Sequence, residues 1–189
     1  MARSAKSAKV DSREVGLVAC LNLLNFFLGT KDLHYGLWSD DLPLTVQNMP
    51  QAQQRYSDFL IGHLPDDVHS ILDVGCGAGG VATELLSRGY QVQGVSPSPL
   101  LSEAAQQQAG TDFKIHQGRF EDVEFAIDDR FDLVMFSESF QYISLDCVLE
   151  KAKSLLRPAG YILICDFFKR NTPGNSIVGG GHKYDDFIA

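Results

Sequence analysis

The sequence ILDVGCGAGG, residues 71–80, places four glycines between a short apolar run and a segment of helical character, GVATELLSRG. Glycine adopts backbone conformations that side chains disfavour, and it lets a ligand approach the backbone closely. The first turn of a helix also offers unpaired N–H groups and the positive end of the helix dipole. The stretch therefore predicts a strand, a tight turn and a helix that together bind a nucleotide-type cofactor.

Strand and helix patterns alternate on both sides of this stretch. We expect strands at 70–75, 90–96, 112–118, 131–137 and 161–168, and helices at 80–89, 99–108 and 146–156. Alternation at this spacing favours βαβ units with helices on both faces of a sheet. The predicted fold class is α/β, with a doubly wound, mostly parallel sheet.

Two helices and an aromatic loop precede this region. Residues 12–28 are apolar on most sides, so we expect this helix to pack on the domain, with a lid or a partner surface as the alternative. The aromatic loop, residues 31–41 (KDLHYGLWSDD), follows, and a second helix is expected at 50–63. The predicted organisation is a tail at 1–11, a helical segment at 12–64, a cofactor-binding core at 65–170, and a loop or unfinished element at 171–189.

Composition argues against several classes of protein. The 189 residues suffice for one globular domain. The net charge is -8, whereas a protein that binds nucleic acid usually carries a basic surface. The four cysteines form no CxxC pair, so we expect reduced thiols, no bound metal and a cytoplasmic location. The longest apolar segment, residues 15–28, is too short to span a membrane.

Asp73 discriminates between two cofactors. In a dinucleotide site the pyrophosphate rests on the helix N-terminus, where an acid just before the first glycine would repel it. The same acid would attract a cationic group such as the ammonium of S-adenosylmethionine. We therefore favour S-adenosylmethionine, with S-adenosylhomocysteine as its product, over the cofactor of an NAD(P)-dependent oxidoreductase.

Five segments, in order, resemble the motifs of class I S-adenosylmethionine-dependent methyltransferases. ILDVGCGAGG resembles their first motif, QVQGVSPSPLL the end of their second strand, GRFEDVEF their adenine-side loop, and FDLVMFSESFQYI and LLRPAGYILICDFF their fourth and fifth strands. LHYGLW is similar to a loop of the small-molecule branch that includes tocopherol, sterol and cyclopropane-forming methyltransferases. The resemblance implies a Rossmann-like methyltransferase fold and methyl transfer to a small-molecule acceptor.

The resemblance also implies which residues hold the cofactor. They are Asp73, Gly75, Cys76, Gly77 and Ser137 around the methionine part, Ser96 and Pro97 at the ribose, and Phe120 and Glu121 at the adenine. Ser96 stands where the family usually has an acid, and a neutral hydroxyl makes a weaker hydrogen bond than a charged acceptor. Tyr35 and Trp38, with His34, are expected to wall the sulfonium, because aromatic faces attract cations.

Several of these positions have a purely structural alternative. Phe120 either stacks on the adenine or fills the core. Gly79 and Gly80 either approach the ligand or only allow the helix to pack closely. Glu121 either accepts a hydrogen bond from the exocyclic amine or is solvated.

Methyl transfer is an in-line displacement at a carbon that the positive sulfur already activates, so the protein mainly aligns the reactants and excludes water. A general base is needed only when the acceptor must lose a proton. Glu138 is the first candidate, because it follows the fourth strand at the crevice, and Tyr142 and His34 come next. A helix cap or a salt bridge is the alternative role for Glu138.

About 20 residues follow the fifth predicted strand, too few for the helix and two strands that the family normally adds there. We therefore expect a sheet without its last two strands, whose exposed fifth-strand edge favours a homodimer. A non-catalytic or truncated module that only binds the cofactor or its product is the alternative to an active methyltransferase.

Overall fold

The computed structural model describes residues 12–170 and 181–189. Its main sheet consists of β1 Ser70–Val74, β2 Gln91–Ser96, β3 Lys114–Gln117, β4 Phe131–Ser137 and β5 Leu156–Cys165. The strands pair in parallel in the order β3-β2-β1-β4-β5, so the chain changes direction between β1 and β4. This arrangement confirms the predicted doubly wound, parallel α/β fold.

Six helices accompany the strands in the described residues. They are α1 Ser12–Leu28, α2 Met49–Ile61, α3 Gly80–Ser87, α4 Pro99–Ala109, α5 Leu145–Ser154 and α6 Tyr184–Ile188, with 3-10 turns at Val46–Asn48 and Phe140–Tyr142. The short strands β6 Phe168–Lys169 and β7 His182–Lys183 pair with each other outside the main sheet. None of these described helices is both long enough and apolar enough to cross a membrane.

The centre of the main sheet is buried on both faces. On one face, Ile71 belongs to a cluster with Leu60 of α2 and Leu85 of α3. On the other face, Leu72 belongs to a cluster with Val148 of α5. Neighbouring residues of a strand point to opposite faces, so the pair at 71 and 72 reaches both helical layers. The carboxyl ends of β1, β2 and β4 consequently lie side by side between these layers.

Helix α1 packs against α4, but much of its apolar surface is exposed. Phe26 is 81% exposed and Phe27 71% exposed, and the helix lies outside α4 rather than on the sheet. Near its start, the Glu14 carboxylate accepts hydrogen bonds from the Ser98 hydroxyl (2.5 Å) and the Leu100 amide (3.2 Å). The other helices already cover both faces of the sheet, so its apolar surface is not available to α1.

The fifth strand begins earlier than the sequence predicted. The helix expected to reach residue 156 ends at Ser154, and β5 begins at Leu156 instead of residue 161. Ala159 has a φ of 61°, and the register with β4 shifts between Phe131 and Leu133. The strand therefore starts with an irregular extension. The sequence RPAG within it is typical of a turn, so the extension was not predicted.

The predicted tail at 1–11 and part of the predicted end segment, 171–180, lie outside the described residues. Residues 181–189, predicted to be a loop or an unfinished element, contain β7 and α6. Phe187 of α6 packs with Phe140 at a centroid distance of 5.6 Å and with Phe168 at 4.8 Å. This aromatic cluster holds the last described residues against the segment that follows β4.

A buried amide on α2 holds the aromatic loop in place. Gln53 is 1% exposed, and its Nε2 donates hydrogen bonds to the backbone carbonyls of Asp32 (3.1 Å) and His34 (2.9 Å). Its Oε1 accepts a hydrogen bond from the Thr30 hydroxyl at 2.8 Å. Because buried carbonyls need partners, this one side chain satisfies the backbone of the loop where water does not.

A glycine brings the same loop into direct contact with α2. A Cβ on Gly36 would lie 2.4 Å from the Cβ of Ala52, closer than atoms can approach. The adjacent Leu37 amide donates a hydrogen bond to the Ala52 carbonyl at 2.8 Å. The aromatic loop is therefore held against α2 on both sides of His34 and Tyr35.

We expect Gln53→Leu to loosen the aromatic loop, because it leaves two partly buried carbonyls without their donor. The free energy of unfolding should fall by about 1–3 kcal/mol, the cost of leaving buried polar groups unpaired. Trp38 is the single tryptophan, so its fluorescence reports on the loop alone and should become easier to quench with acrylamide. Gln51→Leu, at an exposed position of the same helix, is the control, and equal quenching in both variants would contradict this role of Gln53.

Candidate functional site

The turn after β1 uses its glycines in different ways. Gly75 has a φ of 81°, and a Cβ there would lie 2.5 Å from the Cβ of Ser139. Gly77 also has a positive φ, 54°, but nothing lies within 4 Å of where its Cβ would be. Gly79 has a φ of 86° and would meet the backbone of Ala105 at 2.9 Å. Gly75 and Gly79 therefore permit close packing, whereas Gly77 leaves open space beside the backbone.

Asp73 is a buried carboxyl at the end of β1. It is 2% exposed, and burial raises its pKa to about 7. No hydrogen bond or positive charge from the described residues offsets this effect. A folded-state pKa above the ordinary value means that the protonated form stabilises the unliganded fold, and that this contribution is lost as the pH rises towards 7. A cation placed beside Asp73 would favour its ionised form.

The side chain of Cys76 points away from the turn and into the core. A Cβ on Gly94 of β2 would lie 2.8 Å from the Cys76 Sγ, and burial raises the pKa of the thiol well above its ordinary value. Only the backbone of Cys76 therefore remains to contact a ligand at the turn.

A cavity of about 120 Å³ lies next to the glycine turn. Its lining consists of Val74, Gly75, Val95, Pro97, Arg119, Phe120, Glu121, Ser139, Tyr142 and Ile143. The structure thus brings together residues predicted at the ribose (Pro97) and at the adenine (Phe120 and Glu121). It also places Tyr142, a predicted catalytic residue, at this cavity. The cavity is lined mainly by apolar atoms and opens at the carboxyl edge of the sheet.

Phe120 both lines this cavity and belongs to the core. It is 3% exposed, and its ring meets that of Phe136 edge-on at a centroid distance of 5.7 Å. Glu121 forms an ion pair with Arg119, whose Nη2 lies 2.8 Å from Glu121 Oε1. The two predicted adenine-side residues therefore have structural partners as well as a place on the cavity wall.

Ser96 uses its hydroxyl locally. The residue is 2% exposed, and its Oγ donates to the Ser98 carbonyl and accepts from the Ser98 amide, each at 3.3 Å. These contacts stabilise the Ser-Pro-Ser turn after β2. The hydroxyl predicted to reach the ribose is thus turned back into its own turn.

Tyr56 of α2 joins the aromatic loop to the end of β4. Its hydroxyl and the Ser137 hydroxyl lie 2.9 Å apart, and its ring stacks on that of His34 at a centroid distance of 4.8 Å. His34 Nδ1 lies 2.9 Å from the Tyr35 carbonyl, and Nε2 lies 3.4 Å from the Ser57 hydroxyl. A carbonyl can only accept, so Nδ1 donates the first of these hydrogen bonds, and both ring nitrogens are engaged within the protein.

Glu138 connects the end of β4 to the aromatic loop. The Tyr35 amide donates to its carboxylate, with the two oxygens at 3.0 and 3.1 Å, and Glu138 itself has a φ of 56°. Burial raises the pKa of Glu138 to about 7; the Tyr35 hydrogen bond lowers it, and the nearby charge of Asp166 raises it. The Tyr35 ring contacts Phe167 at a centroid distance of 5.3 Å. Trp38 lies half-buried in the same loop.

An acid occupies the start of α3, where a pyrophosphate would bind. A Cβ on Gly80 would lie 1.5 Å from Asp32 Oδ1, so this carboxylate covers the first turn of the helix. Burial raises the pKa of Asp32, and within residues 12–170 and 181–189 its Oδ1 has no hydrogen-bond partner. The Asp32 side chain occupies the space that a dinucleotide phosphate would take at this helix end, which argues against the NAD(P)-dependent alternative.

Sequence analysis missed several residues of this region. Gln53, Tyr56 and Ser57 are polar yet buried, and their spacing of three to four residues places them on one face of α2. That spacing is the signal that could have identified them. Arg119 and Ser139 carried no signal of their own, because only the tertiary fold brings them to the cavity. In the part of the chain that the structure describes, no group of three metal-ligating side chains is close enough to hold a metal ion.

Curated proteins that resemble this chain in sequence include methyltransferases. A protein-family profile described as a methyltransferase domain matches residues 71–160. Methyltransferase GfsG from Streptomyces halstedii is 30% identical over 174 residues, which cover 85% of this chain and 60% of that protein. A ubiquinone biosynthesis O-methyltransferase from Azorhizobium caulinodans is 28% identical over 155 residues, which cover 69% of this chain and 60% of that protein. The chain thus spans about 60% of the length of each of these two curated relatives.

Solved methyltransferases share this fold. Geranyl diphosphate C-methyltransferase from Streptomyces coelicolor, solved with S-adenosylhomocysteine, superposes with a TM-score of 0.75 over 96% of this chain and 78% of that chain, at 17% identity. The matched profile identifies residues 71–160 as a methyltransferase domain, and the strand order and the glycine turn are those of the class I S-adenosylmethionine-dependent methyltransferase fold.

Proposed function

We propose that this chain binds S-adenosylmethionine across the glycine turn and transfers its methyl group to a small-molecule acceptor. The observation that carries the proposal is the pair of features on either side of Gly75. An acid without a partner, Asp73, comes before the turn, and an aromatic-lined cavity lies beside it. A ligand with a cationic end and a flat apolar end, as S-adenosylmethionine has, complements both features.

Each part of the cofactor has a candidate partner. The ammonium of the methionine part pairs with Asp73, and the open space at Gly77 admits the methionine chain beside the backbone. The adenine enters the cavity against Phe120, within reach of Glu121, and the ribose passes Pro97. Cys76, Ser96 and Ser137 contribute through their backbones, because their side chains are engaged elsewhere.

The acceptor binds on the opposite side, at the ends of β4 and β5. Tyr35 and Phe167 are each about half exposed and form an apolar surface next to Glu138. We therefore propose an apolar acceptor, a choice that agrees with the name of the ubiquinone-pathway relative. The bond between the methyl carbon and sulfur breaks with its electrons going to sulfur, and the acceptor supplies the pair for the new bond.

When the acceptor is a hydroxyl, its proton needs a base. Glu138 has the right place and a pKa near the working pH. Tyr142 is at the cofactor cavity and both nitrogens of His34 are engaged, so we assign neither of them as the base. We further propose that the protein works in the cytoplasm, since its four cysteines are unpaired.

The binding of S-adenosylhomocysteine should release a proton and become tighter as the pH rises from 5.5 to 7. The ligand ammonium favours ionised Asp73, whose pKa without ligand is about 7. Below that value affinity should rise by up to about tenfold per pH unit, the limit for one linked proton. Calorimetric titration in buffers of different ionisation enthalpy measures both the affinity and the proton.

Asp73→Asn should bind more weakly and lose this pH dependence, whereas Asp122→Asn, at an exposed position, should behave as the wild type. Affinity that stays constant from pH 5.5 to 7.5 in the wild-type protein would rule out Asp73 as the ammonium partner. Binding of NADH in place of S-adenosylhomocysteine would refute the proposed function itself.

Glu138→Gln should lower the rate of methyl transfer to a hydroxyl acceptor about 100-fold or more, the usual contribution of a general base. The rate of the wild type should rise with pH and level off above about 7, as Glu138 ionises. The affinity for S-adenosylhomocysteine should stay within a factor of about 3, because the methionine and adenine partners are unchanged. The assay follows radiolabelled methyl transfer onto a panel of apolar phenols and alcohols. Tight cofactor binding without transfer to any acceptor would instead favour the non-catalytic module.

We also propose a homodimer through the edge of β5. In the described residues this strand pairs only with β4, and an open parallel edge offers unpaired N–H and C=O groups to a second copy. Light scattering should give twice the chain mass at high concentration. Introducing a charge with Leu163→Lys on β5 should shift the protein towards the monomer, and a monomer in the wild type at all concentrations would contradict the dimer.

A further inference from the structure

The loop between β3 and β4 carries both candidate adenine partners, but it has no regular structure of its own. Residues 118–130 contain neither a helix nor a strand, and Phe120 and Glu121 lie near their start. An irregular segment can hold two side chains in fixed positions only when something fixes its backbone. The question is which contacts do so on the side facing away from the cavity.

Lys151 of α5 binds the backbone of this loop beside the two candidate adenine partners. Its Nζ donates hydrogen bonds to the Glu121 carbonyl at 3.0 Å and to the Val123 carbonyl at 2.6 Å. The same nitrogen lies 5.3 Å from the centre of the Phe120 ring and 5.7 Å from that of the Phe125 ring. One ammonium group thus contacts the backbone of Glu121 and the ring of Phe120, the two candidate adenine partners.

The helix beneath the loop is itself firmly placed. Val148 and Ala152 of α5 are fully buried in the cluster that includes Phe120 and Phe136. Lys151 lies between these two positions, and its stem extends from this fixed helix to the loop. Burial lowers the pKa of Lys151, and the nearby acids Asp122, Glu121 and Glu124, with Cys147, raise it. Burial has the larger effect, so the pKa is lowered on balance, while the acids oppose it by attracting the ammonium.

The charge of Lys151 matters for geometry as well as for attraction. A cation beside two carbonyl oxygens and two ring faces fixes their relative positions, because each contact is strongest at short distance. The carboxylate of Glu121 pairs with Arg119 and forms part of the cavity wall, while the carbonyl of the same residue is held by Lys151. Moving that carbonyl would move the carboxylate.

We propose that Lys151 is a positioning residue that sets the selectivity of the site for adenine. It acts through the loop: it fixes the backbone of Glu121, so that the carboxylate faces the exocyclic amine, and it supports the ring of Phe120 from below. The inference rests on the proposed function, since it requires the adenine to occupy the cavity. Lys151, which lies outside the cavity, would thus determine whether the site prefers adenine to its 6-oxo analogue.

The test compares S-adenosylhomocysteine with S-inosylhomocysteine, in which an oxygen replaces the exocyclic amine. The wild type should bind S-adenosylhomocysteine about tenfold more tightly than the inosine analogue, the effect of one hydrogen bond to a charged acceptor. Lys151→Met should reduce this ratio to about twofold and weaken S-adenosylhomocysteine about tenfold. Lys151→Arg, which keeps the charge, should restore most of the ratio.

Lys153→Met is the matched control, because this lysine lies on the same helix and is exposed. It should leave both affinities as in the wild type. If Lys151→Met does not fold, Lys151→Gln takes its place, since it keeps a hydrogen-bond donor without the charge. The ratio in Lys151→Gln should then fall clearly below the wild-type ratio of about ten.

Two results would overturn the inference. One is a wild-type ratio that persists in Lys151→Met or in Lys151→Gln, and the other is a ratio that Lys151→Arg fails to restore. A merely structural role would lower the melting temperature and weaken both ligands equally, leaving the ratio unchanged. A wild-type protein that binds neither ligand would refute the proposed function, and this outcome is distinct from a failure at Lys151.

Discussion

The site depends on the close contact between the turn after β1 and the turn after β4. At Gly75 a Cβ would lie 2.5 Å from that of Ser139, so no side chain fits between the two turns. The Ser139 hydroxyl also donates a hydrogen bond to the Val74 carbonyl. This contact fixes the distance between two strand ends and brings Glu138 beside the glycine turn. The aromatic loop, which α2 holds from the other side, is joined to the same contact through Glu138.

Two carboxyls with similarly raised pKa values serve different purposes in this arrangement. Burial raises the pKa of both Asp73 and Glu138 to about 7. Only Glu138 has a hydrogen-bond donor, the Tyr35 amide. An unpaired buried acid favours a ligand that brings its own positive charge. A paired acid holds a loop and can exchange that contact for a proton. Burial thus produces a binding group and a structural or catalytic group from the same chemistry.

The sequence was sufficient for the elements whose signals are local. Strand hydrophobicity and the glycines of residues 71–80 predicted the sheet, the turn and the following helix, because periodicity and backbone freedom depend on neighbours along the chain. The sequence did not predict contacts between residues that lie far apart along the chain. Lys151 contacts Glu121, 30 residues away, and α1 is apolar although much of its surface is exposed. The cofactor cavity was predictable as a place at the strand ends, but Arg119 on its wall was not.

The strand order has a consequence for the synthesis of the chain. β1 lies at the centre of the sheet, yet Ile71 pairs with Leu133 of β4, which leaves the ribosome about 60 residues later, or roughly 3–12 s at ordinary translation rates. During that interval one side of an apolar strand has no neighbour. The nascent domain must therefore be shielded from other chains until β4 emerges, and the glycine turn acquires its shape only when Ser139 arrives.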